Sequence, residues 1–228
     1  MKNLSLISFA LYCAILLSSC GKDAATPDGD PSQIAFLNTC LDCGNVILTI
    51  DTGSTKAANY PYNSDAYKTM KSLNQTVKIT DPTKVTKILE KSLNIADSAY
   101  LTFALFNTKA APELLVFEDI LPVTIDTNKT YVRLINLMSD GQSVSVNVNG
   151  ATGNVISNLP AKIQTGFTAL DPIAGSKLEY KVGTSTVINK VSHSFFQKGK
   201  VYTVYFVGSI SIPAPSTGKL GNGVFVNR

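Results

Sequence analysis

The chain of 228 residues has no tryptophan and a single histidine, His193, and only 16% of its residues are charged. Each scarcity excludes something. One imidazole cannot furnish a histidine-rich metal centre, and a structural zinc needs four ligands. A Ser-His-acid triad would have to use His193 with Ser192 or Ser194. Neighbours on a strand point to opposite faces, and the chain has no Gly-x-Ser-x-Gly elbow. H-E-x-x-H, P-loop and dinucleotide fingerprints are missing as well. The net charge is +4, with both signs interspersed and no basic run, so nucleic acid is not an expected partner. Neither catalysis nor a cofactor is expected from this inventory.

What the chain does have begins at its N-terminus. Lys2 is the only charge in the first nineteen residues, Leu4 to Leu17 is mostly apolar, and Leu17-Ser18-Ser19-Cys20 follows. A basic tip, a short apolar segment and a small-residue site make a secretory signal, too short for a comfortable membrane span. Its end resembles the bacterial lipobox, which implies cleavage before Cys20 and acylation of that cysteine. Several acyl chains anchor stably where one does not. Gly21-Lys22-Asp23 puts no aspartate beside the cysteine, and the Lys-Asp pair resembles the export signal of surface lipoproteins in the Bacteroidetes. An outer-membrane lipoprotein, facing either the surface or the periplasm, is thus the expectation. Asp23 to Ser32, rich in Pro, Gly and Asp, reads as a flexible tether.

From Gln33 onward short apolar runs alternate between turn signals, and no stretch holds a helical period for long. Ile34 to Leu37 is a buried strand. Val46, Leu48 and Ile50 share one face of the next. Gly53 to Ala58 reads as a turn. Gln75 to Thr80 alternates again. Val85 to Ile95 could be an amphipathic helix, but the repeat described next favours a strand. Ala99 to Phe106 is a strong strand, Leu114 to Phe117 closes the unit, and Leu121 to Thr130 reads as a linker.

The second half repeats this order. Ile34, Phe36 and Asn38 match Val132, Leu134 and Asn136 at a separation of 98, as Val46, Leu48 and Ile50 match Val144, Val146 and Val148. Val77 and Ile79 match Leu178 and Tyr180 at 101, and Leu101 to Leu105 match Tyr202 to Phe206 at the same offset. Apolar phase is kept within each strand; a slip of one residue would invert every side chain. The expected fold is therefore all-β: two tandem immunoglobulin-like antiparallel β-sandwiches over residues 33–120 and 131–228, after a signal (1–19) and a tether (20–32).

Tyr131 to Gly150, with the later Gly199-Lys-Val-Tyr-Thr-Val-Tyr-Phe-Val-Gly208, resembles the bacterial family called domain of unknown function 4397. The shared features are a strand ending in Asn, a loop, an alternating strand ending in Asn-Gly, and a late Gly-x-x-Tyr-Thr strand. The first half departs, with Ser98-Ala99-Tyr100-Leu101 in place of the glycine motif. The resemblance implies exported, often lipid-anchored, tandem β-sandwiches and brings no activity.

Three local features invite chemistry. Asp51-Thr52-Gly53-Ser54 looks like the Asp-Thr-Gly-Ser of aspartic proteases, where two aspartates share a proton. The matching Asn149-Gly150-Ala151-Thr152 has no carboxylate, so the stretch is read as a strand entering a turn. Cys40-Leu41-Asp42-Cys43 could be a redox, metal or disulfide pair. A strand follows instead of the helix that a redox site needs, and an exported chain favours a Cys40–Cys43 disulfide. Tyr60, Tyr62 and Tyr67, set among amides, could form a sugar-binding surface or pack over the sandwich rim. The expected role is non-catalytic binding, adhesion or structure, with a glycan or another envelope protein as partner; a glycan-binding accessory of an outer-membrane uptake system is the alternative, and a hydrolase comes third.

Overall fold

The structure, a computed structural model, describes residues 30–50, 54–58, 67–148, 154–171, 178–185, 189–191, 196–212 and 220–227. The first half contributes β1 (Ser32–Asn38), β2 (Val46–Ile50), β3 (Ser54–Ala58), β4 (Lys68–Met70), β5 (Leu73–Thr80), β6 (Lys87–Ile95), β7 (Tyr100–Thr108) and β8 (Ala111–Glu118). The second contributes β9 (Thr130–Met138), β10 (Val144–Val148), β11 (Asn154–Leu159), β12 (Thr168–Leu170), β13 (Leu178–Val182), β14 (Asn189–Val191), β15 (Val201–Gly208) and β16 (Gly221–Val226). Among the described residues no helix is long and apolar enough to cross a membrane.

Four four-stranded sheets result, ordered β4-β1-β7-β8 and β3-β2-β5-β6 in the first half, β12-β9-β15-β16 and β11-β10-β13-β14 in the second. The two orders coincide strand for strand. Register coincides too: Leu48 pairs with Ile79 and Val146 with Tyr180, positions 98 and 101 apart. Phe36 pairs with Phe103 and Leu134 with Val204 at the same offsets. Inside the first sandwich Phe36, Leu48, Ile79 and Phe103 form one core; inside the second Leu134, Val146, Tyr180 and Val204 form its counterpart.

Two expectations need correction. The sheets are not wholly antiparallel: β1 runs parallel to β7, and β9 to β15. The chain changes sheets repeatedly between these strands, so their pairing is by crossover and not by hairpin. Gly53 to Ala58 is not simply a turn, because Ser54–Ala58 forms β3 against β2. The run Ser-Thr-Lys-Ala-Ala lacks apolar alternation, but an edge strand needs only the ladder. The stretch Val85 to Ile95 is a strand from Lys87 on, paired along β5.

The two sandwiches also share a third core. Ala35, Leu37, Ala104 and Phe106 on one side meet Ile135, Leu137, Tyr205 and Val207 on the other, with Phe117 and Phe225. Sheet β4-β1-β7-β8 therefore faces sheet β12-β9-β15-β16. This explains why β1, β7, β9 and β15 read as unbroken apolar runs: such runs suit strands buried on both faces. Alternate residues of β1 serve two cores, Ile34 and Phe36 the first, Ala35 and Leu37 the third.

The glycines that bracket β15 have a conformational reason. Gly199 and Gly208 have φ of 70° and 95°, and their counterparts Ser98 and Asn107 have φ of 55° and 79°. The same left-handed backbone thus opens and closes β7 without glycine. A Cβ on Gly199 would meet only ordinary contacts with Thr127, so conformation alone sets its cost. Gly199→Ser is expected to lower the unfolding free energy by about 1–2 kcal/mol, and Ser98→Gly to raise it by less than about 1 kcal/mol. Denaturant unfolding of both variants checks this; changes of equal sign at the two positions would refute it.

Candidate functional site

Of the residues singled out by sequence, Cys20, Tyr60 and Tyr62 lie outside the described residues, as do Asp51 and His193. Cys40 and Cys43 are joined in a disulfide. Their sulfurs and the Asp42 carboxylate come within 4.8 Å of one another, but sulfurs bonded to each other are not thiolate ligands. Asp42 is also occupied, accepting a hydrogen bond from the Lys109 amide at 2.5 Å. The Leu41 amide donates to the Asn107 carbonyl at 2.9 Å. The corner therefore clamps the β7–β8 turn. The second half builds the same clamp without sulfur: Asp140 accepts from the Ile210 amide at 2.8 Å and the Ser209 hydroxyl at 2.9 Å.

The asparagine that ends the first strand of each half has a related task. Asn38 Nδ2 donates to the Gly44 carbonyl at 2.7 Å, and Asn136 Nδ2 to the Gln142 carbonyl at 2.8 Å. Both side chains are fully buried. Each satisfies a loop carbonyl six residues on, which holds the entry to the next strand.

Tyr67, expected at a ligand surface or the sandwich rim, sits instead at the seam between the sandwiches. Its ring meets Tyr100 and Phe225 edge-on, with centroids 5.2 and 6.4 Å away. Its hydroxyl donates to Asp119 Oδ2 and accepts from Asn227 Nδ2 at 2.6 Å. Its polar end is committed to the fold and not offered to a sugar.

Around it lies the densest polar constellation among the described residues. Arg133 of β9 is buried to 1% exposure, and its Nη1 donates to Asp119 Oδ1 of the first half, itself at 0%. Nη1 also donates to Gln164 Oε1 at 2.8 Å, Nη2 to the hydroxyls of Thr203 at 2.8 Å and Thr102 at 3.1 Å, and Nε to Thr203 at 3.0 Å. All five guanidinium donors are used. The Phe167 ring lies 5.1 Å from the guanidinium carbon. Asp119 Oδ2 accepts from the Thr102 hydroxyl at 2.7 Å. The Thr203 hydroxyl donates to Asn227 Oδ1 at 2.8 Å, and Gln164 Nε2 to the Glu118 carbonyl at 2.8 Å. Asp119, Tyr67, Asn227, Thr203 and Arg133 thus close a ring of hydrogen bonds across the seam.

Sequence reasoning passed over this group. One signal was available: an arginine inside the apolar strand Tyr131-Val132-Arg133-Leu134-Ile135. Such a charge in a buried strand requires a buried partner. The partner, Asp119, could not be found by spacing, because the seam itself was not visible.

The group carries acid, base and cation, but the Arg133 and Asp119 side chains at its centre are 1% and 0% exposed and are fully engaged with protein partners, which suits a structural junction. Among the described residues the second sandwich has a gap of about 250 Å³ counting its open mouth, bordered by Val132, Leu134, Val146, Ile156 and Leu178. It presents almost no polar atom and its enclosed part has room for about one water. Ligand sites need convergent polar groups to orient what they bind; this is a packing gap.

A buried ion pair adds little over apolar packing, but removing one partner strands the other charge, at a cost of about 3–5 kcal/mol. Asp119→Leu and Arg133→Met are each expected to destabilise by about that amount, and the double variant by far less than their sum. Denaturant unfolding gives the cycle; additive effects would show that the two charges do not depend on each other. A second outcome concerns alkaline pH. Burial, then the Asp119 carboxylate, holds the Tyr67 phenol above the usual tyrosine range. The unfolded chain releases that proton from pH about 10, and the folded chain does not. Stability is therefore full below pH about 10 and drains as pH rises beyond it. Tyr67→Phe should be less stable at neutral pH yet fall less steeply in alkali, as read by unfolding at stepped pH.

No curated protein matches the chain. Among solved structures, a family 26 carbohydrate-binding module of Amy13K from Eubacterium rectale, in complex with maltoheptaose, is 11% identical, with 86% of this chain and 97% of that one covered and a TM-score of 0.25. A candidate cell adhesion protein from Parabacteroides distasonis is 8% identical, with 88% and 99% covered and a TM-score of 0.26. Likenesses of that order say nothing about this chain's ligand. A family model, by contrast, matches residues 32–147, from the head of β1 into β10. The match thus takes in the whole first sandwich, where the sequence reading places the resemblance mainly in the second half; Ser98, in the left-handed conformation of Gly199, keeps the geometry of the missing glycine. That model is described as Domain of unknown function (DUF4397), it spans about half of the chain, and the protein belongs to this family.

Proposed function

We propose that the protein is a lipid-anchored envelope component, held at the outer membrane through Cys20, with a non-catalytic binding, adhesive or structural role. The observation that carries the non-catalytic part is the seam. The one dense array of ionisable side chains among the described residues welds two sandwiches together, and two rigidly joined sandwiches are suited to presenting a surface or spacing partners. The anchor is supported by the sequence around Cys20 alone.

The glycan-binding alternative draws on Tyr60 and Tyr62, with one structural addition. Tyr100 is 40% exposed and is met edge-on by Tyr67, so part of an aromatic ring is open to solvent on the first sandwich. Aromatic faces of this kind suit apolar ring surfaces. Glycan-array binding lost on Tyr60→Ala would favour this reading, and an unbound array would leave adhesion or structure.

The anchor has a direct measurement. The N-terminal peptide of protein from the membrane fraction should begin at Cys20 and carry acyl chains by mass spectrometry. Cys20→Ala should shift the protein out of that fraction; a wild-type chain that keeps residues 1–19 or lacks acyl groups would overturn the reading.

A further inference from the structure

One end of the first sandwich carries two exposed apolar side chains, Ile120 and Val123, with Leu121 half-buried between them. Asp30 is the first described residue, and its carbonyl accepts a hydrogen bond from the Ser98 amide at 3.2 Å. Ser32 holds the same corner, its hydroxyl donating to the Ala96 carbonyl at 2.6 Å. The Tyr100 carbonyl, at the start of β7, accepts from the Asp119 amide at 2.7 Å. The point where the preceding chain joins the fold, the β6–β7 turn and the start of the segment between β8 and β9 therefore share one end.

At that end the segment runs Ile120-Leu121-Pro122-Val123. Ile120 is 75% exposed and Val123 98%. Solvated connections are ordinarily built from Gly, Asn, Asp and Ser, so successive aliphatic side chains here need a reason. We infer that Ile120, Leu121 and Val123 rest in the interfacial layer of the bilayer that holds the lipid anchor, and so orient the joined sandwiches on the membrane. The inference depends on the anchor reading.

The leash sets the geometry. Nine residues lie between Cys20 and Asp30, and the ten chain steps at about 3.3–3.6 Å each reach at most about 35 Å. A tether that joins the fold at this end lets this end lie against the membrane. Three aliphatic side chains would recruit a free protein poorly, but a covalent anchor raises their effective concentration at the surface. Exposed side chains of both signs stand at this end, Asp30, Asp97 and Glu118 with Lys71, so a zwitterionic surface fits it better than an anionic one.

The opposite end supplies a control. Val85 is 83% exposed in the β5–β6 connection. The eight residues of β5 put it roughly 26 Å from the Leu73–Ile95 pair near Ala96, at about 3.3 Å per residue. Because the chain has no tryptophan, Val123→Trp and Val85→Trp each create a sole indole reporter. The full chain of each variant, extracted from the membrane fraction, is reconstituted into phosphatidylethanolamine–phosphatidylcholine vesicles carrying brominated acyl chains, and acylation of Cys20 is read by mass in the same samples. V123W should show blue-shifted emission that is lost to bromine quenching, and V85W neither. Acylated V123W that stays as unquenched as V85W would overturn this inference and leave the anchor standing. Chains without acyl groups that wash off the vesicles would overturn the anchor reading and this inference together.

Discussion

The contact on which the two halves depend is the buried pair of Arg133 and Asp119. Neither charge has solvent to fall back on, at 1% and 0% exposure. Each sits on a different sandwich, so the charges are satisfied only while the sheets face one another. Apolar side chains around the pair supply the drive for association, since burial of Leu37, Phe106, Ile135 and Tyr205 scales with area and is indifferent to register. The ring of hydrogen bonds through Tyr67, Asn227 and Thr203 adds direction. A shift of the seam by one strand position would break several bonds at once, each leaving a buried polar atom unpaired.

The frame under this pair is nearly symmetric, while its contents are not. Thr102 and Thr203 are counterparts, and both bond to Arg133. Asp119 corresponds to Asn227, Tyr67 to Phe167, and Ala35 to Arg133, as the matching registers require. The apolar part shows the same division. Ala104 pairs with Leu115, whereas its counterpart Tyr205 pairs with Gly223, where any Cβ would collide with the tyrosine ring. Bulk moves from one strand to its neighbour, so the seam stays filled although the halves differ.

Much of the fold is legible in the residues themselves. Alternation located β2, β5 and β10, and the offsets of 98 and 101 hold in the pairing itself. Local signals sufficed because a strand's phase is written in its own residues. β3 escaped because an edge strand of small polar residues carries no such phase. The disulfide could be foreseen since its cysteines are three residues apart. The seam could not, since Asp119 and Tyr67 gain their meaning from residues of the other half. The long apolar runs of β1, β9 and β15 were its trace, and Arg133 within β9 was the strongest. Tyr67 looked like a neighbour of Tyr60 and Tyr62 in sequence, and its partners turn out to be 52 and 160 residues away.

The asymmetry also bears on partner choice. A duplicated unit with a self-complementary face invites pairing between like halves of different molecules. Two first halves joined this way would bring two Asp119 carboxylates to the seam, with alanine at the position of Arg133. Two second halves would bury two Arg133 guanidinium groups against Asn227, with no carboxylate between them. Either arrangement leaves like charges buried without partners, which is far costlier than a mismatch of apolar contacts. Only a first half against a second satisfies both charges, and the short connection between β8 and β9 makes the one in the same chain the nearest. The ion pair thus contributes less by strengthening the seam than by making every other use of these two faces unfavourable.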